Sequence, residues 1–400
     1  MRILGLGGLQ HDAACAVLNN GKIAAAVEQE KVARRHIAGA IPTEAIDSAL
    51  ELAKLKASDI DCVAIAAPAA DLHLRIRARF PNARLTVVEH QAAHAASAYY
   101  ASGFEQARVL TLDRRGEFRC GALWNGASNE LHLDREMYYP DSAGEVYSRV
   151  TEFLGFEADA DEHKVQWLSA SGTPRFQELF EELFPTWDGA RRDWFDANRV
   201  GRGGFGARFY DRLGLKDGET PAAGDRPDIA ASLQQALQKS VIALAGEGEN
   251  LCLAGGMFLN TMLVAALENS GKYKNVFVQP EAGNAGTALG AIYHAWHHVS
   301  GQKRRIPPHG MFLGPSYEKE EIKQVVENCK LRFRFLLTTD ELLDAAVEAI
   351  YRDRIVAWMH GRMEFGPRAL GNRSILASPL NPYSTENLNR SEERRVGKEC

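Results

Sequence analysis

His90 and His94 stand four residues apart in the alanine-rich run HQAAHAAS. Four residues make about one helical turn, so on a helix both imidazoles project from one face. That geometry suits two ligands to a single cation. An ordinary helix also carries such a pair by chance, and the spacing leaves both readings open. A second candidate lies far along the chain, where Arg362, Arg368, Arg373 and Ser374 fall within GRMEFGPRALGNRS. Guanidinium groups separated by glycines and a proline suit bidentate capture of phosphates; the alternative is a basic surface loop. A third set is made of glycines. Gly255-Gly256 follows the apolar run NLCLA and precedes a helix pattern bearing Asn260, and Gly283 and Gly286 follow NVFVQP. Such junctions bring bare backbone and a helix N-terminus toward a ligand, or else serve close helix–strand packing.

The elements that must position these residues come twice. RILGLGG reads as a strand ending in glycine, and ACAVLNNGKIAAAV as two strands around Asn19-Asn20-Gly21. PTEAIDSALELAKL is a helix pattern, with strands at DCVAIAAP and RLTVVE. The theme returns at RVLTLD, a strand ending in Asp113. RCGALWNGASNELHL then predicts a second hairpin around Trp124-Asn125-Gly126, and SAGEVYSRVTEFLGF and RPDIAASLQQALQKSVIALA read as helices. This repeated layout is that of the actin-like ATPases: an α/β, ribonuclease H-like fold in two lobes whose glycine turns face nucleotide phosphates across a cleft. The prolines and glycine of IPPHGMFLGPSYEKEEI mark a domain boundary. The expected organisation is an actin-like domain over 1–305, with lobes of about 1–105 and 106–305, and the start of an α+β domain over 306–389.

The 400 residues are 45% hydrophobic and 25% charged, a globular composition. A net charge of -5 gives no electrostatic case for nucleic-acid binding. The six cysteines contain no C-x-x-C pair, which favours a reducing cytoplasm. No run approaches the ~20 apolar residues that span a bilayer. Residues 390–400, RSEERRVGKEC, are charged and unpatterned and resemble a sequencing adapter read in frame. They are read as a non-native tail, and the natural protein is expected to continue beyond Asn389.

GLQHDAACAVLNNGKIAAAVEQEKVARR, HQAAHAAS, LTLDRRGE, DEHKVQWLSASG, LCLAGGMFLN, PEAGNAGTALGA and GRMEFGPRALGNRSILASP occur in that order. Together they resemble the O-carbamoyltransferases that tailor antibiotics and nodulation factors, relatives of the tRNA threonylcarbamoyl transferase. The resemblance implies a C-terminal domain that combines carbamoyl phosphate with ATP into carbamoyl-adenylate, using Arg362, Arg368, Arg373 and Ser374, with Mg2+ accompanying the ATP. The actin-like domain would then pass the carbamoyl group to a hydroxyl of a small-molecule acceptor. It implies His90, His94 and Asp113 as metal ligands, with iron(II) the usual ion, and His11 and Asp12 as a pair beside the transferred group. Gly116, Glu117, Gly255, Gly256, Asn260, Gly283 and Gly286 would line the carbamoyl-adenylate. Lys164 of the E-x-K formed with Glu162 would contact phosphate or form a surface ion pair.

Three departures from the family pattern stand out. Asn284 replaces the usual aspartate that would be the fourth ligand; an amide oxygen can coordinate but brings no negative charge. Arg114 replaces the glycine after Asp113 and would either crowd the phosphates or pair with them. Arg34, Arg35 and His36 replace a Lys-His end, with Glu28 and Glu30 before them, and would hold phosphate or form a solvated strand end. Competing readings are an actin-like small-molecule kinase, a tRNA-modifying relative, and an ATP-binding scaffold in which Asn284 and Arg114 have ended turnover.

Overall fold

β1 (Arg2–Gly7), β2 (Ala14–Asn19), β3 (Lys22–Glu28), β4 (Cys62–Ala66) and β5 (Arg84–Val88) form one sheet in the computed structural model, ordered β3-β2-β1-β4-β5. The hairpin strands pair antiparallel, while β4 and β5 run parallel to β1. β6 (Gln106–Leu112), β7 (Arg119–Ala127), β8 (Glu130–Tyr138), β9 (Gly248–Ala254) and β10 (Tyr273–Val278) form a second sheet, ordered β10-β9-β6-β7-β8. Its hairpin is again antiparallel, and β9 and β10 are again parallel to the first strand of the repeat. The two sheets therefore share one topology, and the duplicated actin-like fold expected from the sequence is what the chain adopts.

The structure describes residues 1–34, 39–68, 72–189, 194–196, 199, 202–307, 309–384 and 388. It divides into two units, Met1–His309 and Gly310–Cys400. The helices of the first are α1 (Gln29–Ala33), α2 (Thr43–Leu52), α3 (Leu72–Arg79), α4 (His90–Ser102), α5 (Ala143–Phe153), α6 (Glu162–Ser169), α7 (Gln177–Leu183), α8 (Ala207–Leu213), α9 (Arg226–Ala245), α10 (Thr261–Asn269) and α11 (Thr287–His294). Each lobe has its own core, built on Leu4, Leu6 and Ile65 in the first and on Leu110, Phe180 and Leu233 in the second.

Two helices tie the lobes together. α4 follows the last strand of the first sheet but packs on β6, β7 and β9 of the second. α11 follows the last strand of the second sheet but packs on β1, β2 and β4 of the first, and the two helices pack on each other. Small residues allow this approach: a Cβ on Gly290 would lie 1.8 Å from the Ala93 carbonyl oxygen. α4 starts where Glu89 accepts a hydrogen bond from the Ala92 N–H at 2.8 Å, an N-cap.

The first hairpin turns at Asn20-Gly21, both at positive φ (50° and 80°), as that dipeptide predicts. The second does not turn at Trp124-Asn125-Gly126. Those residues continue β7, and the turn falls at Ser128-Asn129, with Ser128 at φ 55°. Gly126 serves packing instead, because a Cβ there would lie 2.5 Å from the Tyr99 ring.

In the second unit, α12 (Lys319–Asn328) and α13 (Thr339–Tyr351) precede the antiparallel pair β11 (Val356–Met359) and β12 (Arg373–Leu376). Neither α12 nor α13 contains a buried residue. Among the described residues no helix is long and apolar enough to cross a membrane.

Candidate metal centre and active site

β6 ends at Leu112, so the next residue, Asp113, leaves the strand edge beside the start of α4. His90 Nε2 lies 3.0 Å from Asp113 Oδ2. His94 Nε2 lies 3.1 Å from the same oxygen but without hydrogen-bond alignment, and both His94 ring nitrogens are buried and make no hydrogen bond among the described residues. One ligand atom from each residue falls within 4.8 Å of the others, and all three residues are buried. The two rings meet edge to face, 4.7 Å apart. Burial opposes ionisation of Asp113, but the adjoining His94 and His90 outweigh it and hold the carboxyl well below its usual range. Burial works to lower His90 as well, but the hydrogen bond and charge of Asp113 prevail and raise it. Two imidazoles and a carboxylate that converge with unmet ring nitrogens fit a divalent cation.

The glycine junction after β9 serves this cluster. Asp113 Oδ1 accepts the Gly256 N–H at 2.6 Å. Gly255 adopts φ 105° against Leu112, where a Cβ would lie 2.2 Å from the carbonyl oxygen. On the other side Gly116 lies under the His90 ring, and Glu117 takes a left-handed φ of 48°. Asn284 is half-buried at the turn before α11; its carbonyl accepts the Thr287 hydroxyl at 2.6 Å. Thr287 Oγ1 in turn accepts the Gly8 N–H at 3.1 Å, which joins this turn to the glycine end of β1. The Asn284 side-chain amide makes no hydrogen bond to the His90–His94–Asp113 cluster among the described residues. Gly283 and Gly286 shape the same turn around Glu281, with the Gly286 N–H donating to the Gly283 carbonyl at 3.1 Å.

Residues 2–80 and 69–293 match the family model described as "Carbamoyltransferase N-terminus", and residues 347–396 match "Carbamoyltransferase C-terminus". The chain belongs to the carbamoyltransferase family. The second match runs past Asn389 into residues outside those the structure describes. An uncharacterised protein of Synechocystis sp. is 32% identical over 95% of this chain and 71% of its own length. Nodulation protein NolNO of Sinorhizobium fredii is 31% identical over 97% of this chain, and nodulation protein NolO of Bradyrhizobium diazoefficiens 30% over 77%. The chain spans 61% and 56% of the lengths of those two relatives. Among solved structures, HypF of T. kodakarensis aligns with 76% of this chain and 49% of its own at 14% identity and a TM-score of 0.48.

His11 and Asp12 form a half-exposed pair after the β1 turn, Nδ1 to Oδ2 at 2.8 Å. The hydrogen bond that His11 donates to Asp12, aided by the carboxylate charge, raises the His11 pKa. Arg114, open to two readings in the sequence, turns onto protein carboxylates: its Nε lies 2.8 Å from Glu145, and a terminal nitrogen pairs with Asp159. Lys164 pairs with Asp161 at 2.9 Å, and Glu162 accepts the Ser148 hydroxyl at 2.6 Å. Asn260 caps α10 by accepting the Leu263 N–H at 3.0 Å and pairs with Gln234. Glu28 pairs with Lys31 at 2.6 Å, and Arg34 caps α1 at φ 54°; Arg35 and His36 lie outside the described residues.

In the second unit Arg362 donates through Nε to the Gly314 carbonyl at 3.0 Å, and through a terminal nitrogen to Leu313. Arg368 is exposed, and Arg373 opens β12. Ser374 Oγ accepts the Gly371 N–H at 2.9 Å. Glu364 is buried beneath this loop and accepts the N–H groups of Leu370, Asn372 and Arg373 at 2.7–3.1 Å.

Sequence reasoning passed over Gln91, Glu145, Glu281 and Glu364. Burial pushes the Glu281 carboxyl well up, and the charge of Glu28 adds to this. The available signal was polarity out of place: each is a polar or acidic residue beside apolar or glycine-rich neighbours.

Proposed function

We propose that this chain carries a carbamoyl group from carbamoyl phosphate, by way of a carbamoyl-adenylate made with ATP, to a hydroxyl of a sugar or natural-product acceptor. The observation that carries the reading is the convergence of His90, His94 and Asp113 in a chain of the carbamoyltransferase family. Adenylate formation belongs to the second unit, where Arg362, Arg368, Arg373 and Ser374 would hold the phosphates, Mg2+ accompanying ATP. Water first cleaves carbamoyl phosphate to carbamate and phosphate; a carbamate oxygen then bonds to the α-phosphorus of ATP and pyrophosphate leaves. Transfer belongs to the first unit: the acceptor oxygen bonds to the carbamoyl carbon, and the bond to AMP breaks.

A divalent cation held by His90, His94 and Asp113, iron(II) in this reading, would polarise the carbamoyl carbonyl and offset phosphate charge. Asn284 is the candidate for a fourth, neutral ligand. The Gly255-Gly256 junction, Gly116, Glu117, Asn260 and the Gly283–Gly286 turn would border the adenylate. Asp12 fixes the His11 ring through Nδ1 and makes it more basic, which suits His11 to orient the acceptor and take its hydroxyl proton. Lys164 would reach phosphate only by leaving Asp161, a partly exposed pair of small energy. The reducing, ATP-supplied cytoplasm is the fitting compartment: four of the free cysteines are buried thiols.

The test is carbamoyl-phosphate-dependent release of pyrophosphate from ATP, followed by carbamoyl transfer to candidate alcohols. His90→Ala should lose bound metal and transfer while keeping pyrophosphate release. A variant that loses both would refute the division of labour, and production of ADP with a phosphorylated acceptor would make the chain a kinase.

A further inference from the structure

Gln91 lies between the two histidines on α4 and is fully buried. Its side-chain N–H donates to Asp113 Oδ2 at 3.0 Å and more weakly to the Arg119 carbonyl at 3.4 Å. Both partners accept only, so they fix which end of the amide is nitrogen. The amide oxygen, Gln91 Oε1, is then left buried with no hydrogen-bond partner among the described residues. A buried acceptor without a donor costs about 1–3 kcal/mol, so a buried oxygen of this kind calls for something to fill it.

The setting says what. The oxygen belongs to the side chain whose nitrogen holds Asp113 Oδ2, the atom on which His90 and His94 also converge. His94 is fully buried; its Nε2 meets Asp113 Oδ2 at 3.1 Å without hydrogen-bond alignment and its Nδ1 has no hydrogen-bond partner among the described residues, so polar atoms on two neighbouring side chains of one helix lack a positive partner. Among the described residues no backbone or side-chain donor supplies one. A cation with its bound water would satisfy both residues together.

We propose that Gln91 is a positioning residue of the metal centre with two jobs. Its N–H holds Asp113 in the orientation that binds the ion, and its Oε1 offers an oxygen to the ion or to water carried on it. This supplies a neutral oxygen from α4, independent of Asn284 at the α11 turn. The inference rests on the metal-centre reading above.

Cobalt(II) is the probe, added to the full-length chain prepared free of metal. Its visible absorption reports the number and kind of ligands, and titration gives affinity. Gln91→Leu keeps the volume and removes both functions; a bound cation should weaken 10- to 100-fold, the usual cost of losing a group that orients a ligand, and the cobalt bands should shift. Gln91→Glu keeps an oxygen in place and should retain more of the affinity than Gln91→Leu. Wild-type affinity and spectrum in Gln91→Leu would overturn the inference alone. No cobalt binding by the wild-type chain would overturn the metal centre and this inference with it. Should Gln91→Leu fail to fold by circular dichroism, Gln91→Asn, one methylene shorter, provides the same contrast: an unchanged cobalt spectrum there refutes the role.

Discussion

Arg114 shows how a single side chain is decided by its neighbours. It stands next to a candidate ligand, where the resemblance implies a glycine, and its charge alone allowed it to crowd phosphates or pair with them. The structure turns it onto Glu145, 4% exposed, which also takes Arg149 at 2.9 Å and Arg115 at 3.6 Å. Burial would raise the Glu145 pKa, but Arg114 and the other guanidinium groups keep it lowered. Removing one of three cations weakens the compensation of a buried charge without abolishing it. Arg114→Gly should therefore destabilise the chain by about 1–2 kcal/mol in urea unfolding and leave cobalt affinity unchanged. Unaltered stability would mean that the pair contributes nothing, and that Arg114 is available for a ligand.

α4 and α11 carry the site because each crosses to the opposite sheet. Their contact puts Gly290 beneath Ala93, one residue before His94. A methyl group cannot fit 1.8 Å from a carbonyl oxygen, so Gly290→Ala must push the two helices apart. We expect a loss of about 3 kcal/mol, together with weaker cobalt binding as His94 moves from Asp113. Gly224→Ala, where a Cβ meets nothing within 4 Å, is the control and should be near neutral in melting temperature. A Gly290→Ala chain as stable as that control would show that the helices are not held at this distance. The elements themselves were legible: α9 covers Arg226–Ala245, the run that its apolar spacing predicts. The second hairpin was legible too, but not its turn, because Asn125-Gly126 has the local chemistry of a turn while its glycine is required by Tyr99, distant in sequence.

At the scale of the whole molecule the two units differ in how they bury apolar surface. α9 buries Leu233, Leu237 and Val241 in the second-lobe core, whereas α12 and α13 bury nothing and leave Ile322, Val325, Leu343 and Val347 exposed. Helices without tertiary packing are marginal in water. Amide hydrogens of α12 and α13 should exchange at least about 100-fold faster than those of α9, measured by mass spectrometry. Equal protection would mean that another surface covers these helices in solution. Local pattern was enough for the kinds of element, the duplication and the shared face of His90 and His94, because apolar period and turn chemistry act within a few residues. The sequence also carried the family motifs. Long-range packing sets the rest: Asp113 meets those rings, Arg114 turns away, Gln91 is buried with an unmet oxygen among the described residues, and Gly8 bonds Thr287. Such meetings depend on which sheet a helix crosses to and how closely two backbones approach, and no local pattern of residues encodes that distance.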